Sequence, residues 1–216
     1  MPKIKPFDKY YEAYEHWFEQ NRYAYESELK AVRHFIPDTG KGIEIGSGSG
    51  RFSIPLGIKE GIEPSFSMRK LAHKAGMEAI FGLAEHLPLA DDSYDFAFMV
   101  TTICFVDRPR QSVNEMYRIL KPGGYTVIGF VDKESPVGRI YQENKNKSKF
   151  YRDAHFFSAE EVKDLLVEAG FSNIEFVQTL FGKLDTVESV QDFKEGYGEG
   201  SFVVVKGEKR VVVSNE

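Results

Sequence analysis

The stretch Gly42-Ile43-Glu44-Ile45-Gly46-Ser47-Gly48-Ser49-Gly50, followed over residues 58–62 by a second short run that ends in Glu63-Pro64-Ser65, decides how this chain is read. Gly42 to Ile45 has the length and apolar character of a buried strand. Three alternate glycines, Gly46, Gly48 and Gly50, let the backbone turn sharply and approach a ligand with no Cβ in the way. Glu63 lies 17 residues past Gly46, close to the roughly 20 at which an acid after the second strand meets ribose hydroxyls. Strand, glycine turn, short helix, strand and acid make the first half of a doubly wound α/β nucleotide fold. The dinucleotide pattern G-x-G-x-x-G does not fit, because Arg51 stands where its third glycine belongs.

Beyond this stretch, short apolar runs alternate with helical stripes. Ser65 begins a helix with Met68, Leu71, Ala72 and Ala75 on one face, and Gly76 ends it. Residues 77–81 read as a third strand. The run 94–100 is mostly apolar, as a central parallel strand buried on both faces requires. It leads into Thr101-Thr102-Ile103-Cys104-Phe105-Val106, a loop at a strand's carboxyl end, where open α/β sheets bind ligands. Cys104 reads as a small buried hydrophobe. Pro109 opens a helix with the stripe Val113, Met116, Tyr117, Leu120, and residues 125–131 form the next strand. Residues 132–157 read as polar and irregular. Ser158-x-x-Glu161 is a capping box for a helix closed by Gly170. Residues 172–180 and 201–206 are the last strands, with a loop or second lid over 181–200. The tail at 211–213 either extends the last strand or pairs elsewhere.

Residues 6–36 read as two helices with apolar and aromatic positions at helical spacing: Tyr10, Tyr14, Trp17 and Phe18, then Tyr25, Leu29 and Val32. The stretch is richer in rings than simple packing needs. The expected organisation is a helical cap over 1–37 and a single compact unit over 38–216. With 216 residues, 42% apolar content, a net charge of −5 and one cysteine, the chain supports one α/β core and no internal disulfide. An acidic balance argues against nucleic acid as a partner. No apolar run reaches the roughly 18 residues of a membrane span, and the N-terminus has no signal-peptide core, so a cytoplasmic protein is expected. No metal-ligand set is present, and the oligomeric state is left open.

The pattern E-x-G-x-G-x-G from Glu44 to Gly50 resembles motif I of the class I S-adenosylmethionine (SAM) dependent methyltransferases. Later segments fit in the same order over residues 40–206. Lys121-Pro122-Gly123-Gly124 before a strand is similar to motif III, and Gly82-Leu83-Ala84-Glu85-His86-Leu87-Pro88 is similar to the family's G-D-A-x-x-L-P. The resemblance implies a mostly parallel seven-stranded sheet, the last strand antiparallel, with helices on both faces. It implies SAM as cofactor, bound by Glu44, Gly46, Ser47, Gly48, Gly50, Glu63, Pro64, Ser65, Met68, Leu83, Ala84, Glu85, Thr101 and Thr102. Leu83 replaces the family's aspartate, so Glu85 is the candidate acceptor for the adenine amino group. The implied partner is a small-molecule methyl acceptor. Tyr14 and Trp17, three apart on one helix face, and Phe105 are the candidate acceptor-binding residues. Rings stabilise cations, which makes a small amine a reasonable acceptor. The catalytic residue is unassigned, since an activated methyl donor mainly needs alignment. Two alternatives stay open: an NAD(P)-linked oxidoreductase, opposed by Arg51, and a non-catalytic nucleoside-binding protein, kept open by Leu83.

Overall fold

The computed structural model describes residues 3–211. Its centre is a sheet of eight strands: β1 (Gly42–Ile45), β2 (Glu60–Ile62), β3 (Glu78–Ile80), β4 (Tyr94–Val100), β5 (Leu120–Val131), β6 (Phe171–Thr179), β7 (Lys194–Glu195) and β8 (Phe202–Lys209). They lie in the order β3-β2-β1-β4-β5-β8-β6-β7. The first five pair in parallel, and β8 runs antiparallel to both β5 and β6. The chain winds outward from β1 to β3 and then returns to β4 on the other side of β1. That reversal opens a crevice beyond the carboxyl ends of β1 and β4.

Alternation along the buried strands feeds two cores. Phe96, Phe98 and Val100 of β4 point to one face, and Ala97 and Met99 to the other. Phe202 and Val204 of β8 divide from Val203 and Val205 in the same way. Helices α5 (Pro109–Ile119) and α7 (Ala159–Ala169) cover one face through Val113, Met116, Val162 and Leu166. The capping box of α7 forms in full, and Gly170 closes the helix in the left-handed region at φ +101°. The opposite face is covered by α3 (Arg22–Arg33), whose Ala24, Ala31 and Val32 pack with Phe18, Phe35 and Phe52.

Four local expectations are corrected. The sheet has eight strands rather than seven, because Lys194 and Glu195 pair with Gln178 and Val177 at the β6 edge, inside the stretch read as a loop. The N-terminal region forms three helices, not two: α1 (Lys5–Lys9), α2 (Tyr11–Gln20) and α3, broken at Tyr10 and Asn21. Between β1 and β2 the chain makes successive turns instead of a helix. Three glycines, Pro55 and a left-handed Gly57 leave too little regular backbone there. Helix α3 is bonded across these turns: the Tyr25 hydroxyl donates to Arg51 O (2.5 Å) and Arg33 Nη2 to Pro55 O (2.5 Å). Finally, the stretch read as irregular contains α6 (Pro136–Glu143), opened by Ser135, whose side chain accepts from Gly138 N. The α4 helix (Phe66–Lys74) starts at Ser65 as expected. Of the tail at 211–213, residues 212 and 213 lie outside the described residues.

Candidate active site

The glycine turn sits at the end of β1. Gly46, Gly48 and Gly50 all adopt positive φ, at +75°, +54° and +88°. Gly46 is confined as well as left-handed: a Cβ there would lie 2.3 Å from Thr102 Cγ2. The Thr102 hydroxyl donates to Gly46 O (3.1 Å), which ties the turn to the end of β4. Gly46 N and Ser47 N both donate to Ile62 O, at 2.7 and 3.0 Å. The turn is therefore bound to the strands on either side.

Glu63, at the end of β2, locks the geometry. Its Oε2 accepts from Gly48 N (2.8 Å) and its Oε1 from Ser65 N (2.7 Å). Burial pushes its carboxyl up to about 7, against the pull of these two N–H groups. Each oxygen still has capacity for a further hydrogen bond. Two N-terminal helices are tied to the same turn. The α1 carboxylate of Asp8 accepts from Ser65 Oγ (2.6 Å) and Ser67 N (3.1 Å). Burial works against its charge, yet these bonds hold its carboxyl below the ordinary value. On α2, Glu15 accepts from the Ser49 hydroxyl and from Arg51 Nε (2.8 Å).

A cavity of about 200 Å³ opens between these elements. Gly46, Gly48, Glu63 and Pro64 line it at the turn. Met68, Leu83, Ala84 and Glu85 line it from α4 and the loop after β3. Thr101, Thr102 and Phe105 reach it from the end of β4, and Tyr14 and Trp17 from α2. Thr101 is a β-branched residue at φ +51°, a strained conformation of the kind that gathers at functional sites. Burial and the nearby Glu44, Glu15 and Glu63 carboxylates raise the Tyr14 phenol well above its ordinary value. Cys104 is buried beside this loop, and burial pushes its thiol up to about 12.

Four residues named from the sequence do not line the cavity. Glu44 is held by Ser53, whose Oγ donates to it, and burial raises its carboxyl to about 8. The Ser47 side chain turns toward Gly61 of β2 and its hydroxyl finds no partner. Gly50 faces Ile54 and Met77. Ser65 is occupied as the N-cap of α4 and as donor to Asp8. Glu85 is also engaged elsewhere: its Oε1 accepts from Asp107 N (2.7 Å) and Arg108 N (3.2 Å), bracing the start of α5. Only its other oxygen is left for an adenine amino group.

At the far end of the cavity Phe105, named from the sequence, is joined by Phe7, Tyr141, Phe150 and Tyr151, which sequence reasoning did not single out. Phe7 meets Phe105 edge to face at 4.9 Å and Phe150 at 5.5 Å. Tyr151 stacks on Phe105 (5.7 Å) and on Tyr141 (4.9 Å). These rings come from α1, α6 and the following loop, and no local spacing brings them together. Glu28 lies in the same wall, 4% exposed. Its signal was present: an acid on the stripe that buries Ala24, Ser27, Ala31 and Val32. Burial alone raises its carboxyl to about 8.

A glycine turn at the switch point, an acid at the next strand end and a cavity beside them define a nucleoside-cofactor enzyme of the doubly wound class. The comparisons say which one. A family model described as a methyltransferase domain matches residues 43–128. A SAM-dependent methyltransferase of Thermotoga maritima, described also as a possible histamine N-methyltransferase, superposes with a TM-score of 0.93 at 52% identity, over 95% of this chain and 99% of that one. An uncharacterized protein of Methanocaldococcus jannaschii is 46% identical over 94% of this chain and 98% of its own length. A malonyl-[acyl-carrier protein] O-methyltransferase of Methylococcus capsulatus is 32% identical over 46% of this chain and 40% of its own. The chain belongs to the class I SAM-dependent methyltransferases. It is an enzyme with S-adenosylmethionine as cofactor, and the oxidoreductase and non-catalytic alternatives give way. The site fits that cofactor: a side-chain-free cradle at Gly46 and Gly48 faces the same cavity as the Glu63 carboxylate. Among the described residues no helix is long and apolar enough to cross a membrane.

Proposed function

We propose that this enzyme methylates the nitrogen of a small amine held at the aromatic end of the cavity, and that it works in the cytoplasm. The observation that carries the reading is continuity: one cavity runs from the Glu63 turn into a chamber walled by Phe7, Phe105, Tyr141, Phe150 and Tyr151. When bound, SAM supplies an already activated methyl group on a sulfonium. The protein's share is then binding, alignment and exclusion of water. Glu63 takes the ribose hydroxyls with its remaining acceptor capacity. Leu83 and Ala84 give the adenine an apolar edge, and the main chain at Gly46 and Gly48 accommodates the rest of the nucleoside. Tyr14, Trp17 and Phe105, which line the same cavity, contact the acceptor, with residues 1–37 as the cap on the unit 38–216. Ring faces attract cations, and the similarity to the Thermotoga protein, with its histamine description, also supports an amine. The test is S-adenosylhomocysteine release from SAM with small primary amines, their alcohols and their carboxylic acids. Turnover of amines alone is expected. Turnover confined to alcohols or acids overturns the amine assignment.

A further inference from the structure

Among the described residues Glu28 has no hydrogen-bond or ion-pair partner, although it is 4% exposed and lines the cavity. Every other buried glutamate in the region has a partner: Glu44 has Ser53, Glu63 has Gly48 and Ser65, and Glu85 has Asp107 and Arg108. A buried carboxylate without partners is costly. It sits on the face of α3 that also buries Ala24, Ser27, Ala31 and Val32, where an apolar residue would avoid that cost. Lys3 also lines the cavity, and no ion pair joins it to Glu28. Tyr141 and Tyr151 lie close enough for Glu28 to oppose their ionisation, and their rings stack 4.9 Å apart. A carboxylate with aromatic rings beside it and no protein partner is complementary to a ligand cation.

We infer that Glu28 is the acceptor-binding residue: its carboxylate pairs with the ammonium group of the substrate and takes up its proton, which leaves the nitrogen lone pair free to accept the methyl group, and so it selects amines over neutral molecules of the same shape. The inference rests on the amine reading above and adds the residue that recognises the amine. It is distinct from the cofactor side, since Glu28 is in another element from the glycine turn and Glu63.

The experiment is calorimetry on the full chain saturated with S-adenosylhomocysteine. The probes are phenethylamine and histamine, each against the alcohol that replaces its amino group. Wild type is compared with Glu28→Gln and Glu28→Asp. Wild type is expected to bind at least one amine tenfold or more tighter than its alcohol. Glu28→Gln should lose that preference, leaving alcohol and S-adenosylhomocysteine affinities within twofold. Glu28→Asp should retain part of the preference. A structural role predicts the opposite signature: lower melting temperature and equal losses for amine and alcohol, which overturns the inference. Amine turnover by wild type with an unchanged KM in Glu28→Gln removes Glu28 and leaves the amine reading standing. No amine preference in wild type removes both. Should Glu28→Gln fail to fold, the wild-type preference together with Glu28→Asp decides.

Discussion

At the turn end of the cavity the framework is main chain; at the opposite end it is side chains. Gly46, Ser47, Gly48 and Ser65 all commit backbone N–H groups there, to Ile62 O and to the Glu63 carboxylate. The positions of these groups follow from φ and ψ, so the turn tolerates almost no substitution. At the aromatic end main-chain bonds hold the segments, as where His155 N donates to Cys104 O and Phe150 N and Tyr151 N to Ser148 Oγ, and the lining itself is side chains. Phe7, Glu28, Phe105, Tyr141, Phe150 and Tyr151 arrive from separate segments and meet only as rings and one carboxylate. A site of that kind is changed by swapping a side chain, without touching the sheet. The comparison teaches that one enzyme can keep a rigid glycine cradle while the side-chain chamber at the other end of its cavity is free to vary.

The comparison breaks most visibly at Gly46. Gly46→Ala places a Cβ 2.3 Å from Thr102 Cγ2 at φ +75°. Overpacking and left-handed strain together should cost about 2–4 kcal/mol, seen as a drop in melting temperature. S-adenosylhomocysteine binding should fall below detection in calorimetry. Affinity within threefold of wild type would show that the cradle is softer than argued. Next is Glu63→Ala. Hydrogen bonds to a charged group contribute about 1.5–3 kcal/mol each, so S-adenosylhomocysteine should bind at least about tenfold more weakly. An unaltered dissociation constant would remove the ribose role.

Trp17 tests the border between the two ends. It lines the cavity and meets Phe18 edge to face at 5.2 Å. Its fluorescence should respond to S-adenosylhomocysteine. Trp17→Ala should lower amine turnover while costing about 0.5–1.5 kcal/mol of ring-pair stabilisation. A silent fluorophore, with a stability loss nearer the roughly 3–5 kcal/mol of a buried aromatic deletion, would place it in the core instead.

A pH series separates the carboxylates. Burial raises Glu28 and Glu44 to about 8 and Glu63 to about 7, from 4.5 in the unfolded chain. The folded state thus keeps protons that the unfolded chain releases. The stability is fully present below about pH 4.5 and is lost as pH rises through 7 to 8. Melting temperature should fall by several degrees across that window, and Glu28→Gln should flatten part of the slope. An identical slope in the variant contradicts an unpaired Glu28. The smallest effect is expected at Asp8→Ala. Losing its bonds to Ser65 and Ser67 should cost about 1 kcal/mol, as for a lost cap, and raise the KM for SAM modestly. No change in either would mean that α1 is held by its rings alone.

What the sequence determined by itself is the part governed by local backbone rules. The glycine turn, the acid after β2, the central strand at Tyr94–Val100 and the capping box at Ser158 are all readable because conformation there follows from neighbouring residues. A similar local signal, Ser135-Pro136 opening α6, was present and passed over in a polar stretch. Even near the turn, reading stops at the side chain. The Ser53 hydroxyl occupies Glu44, and helix capping occupies Ser65. Only the tertiary structure decided the aromatic chamber. Phe7, Glu28, Tyr141 and Tyr151 are brought together by docking α1 on α4, α3 on the sheet and α6 beside them. That docking is long-range burial of apolar surface, and no spacing along the chain encodes which distant rings will close around one carboxylate.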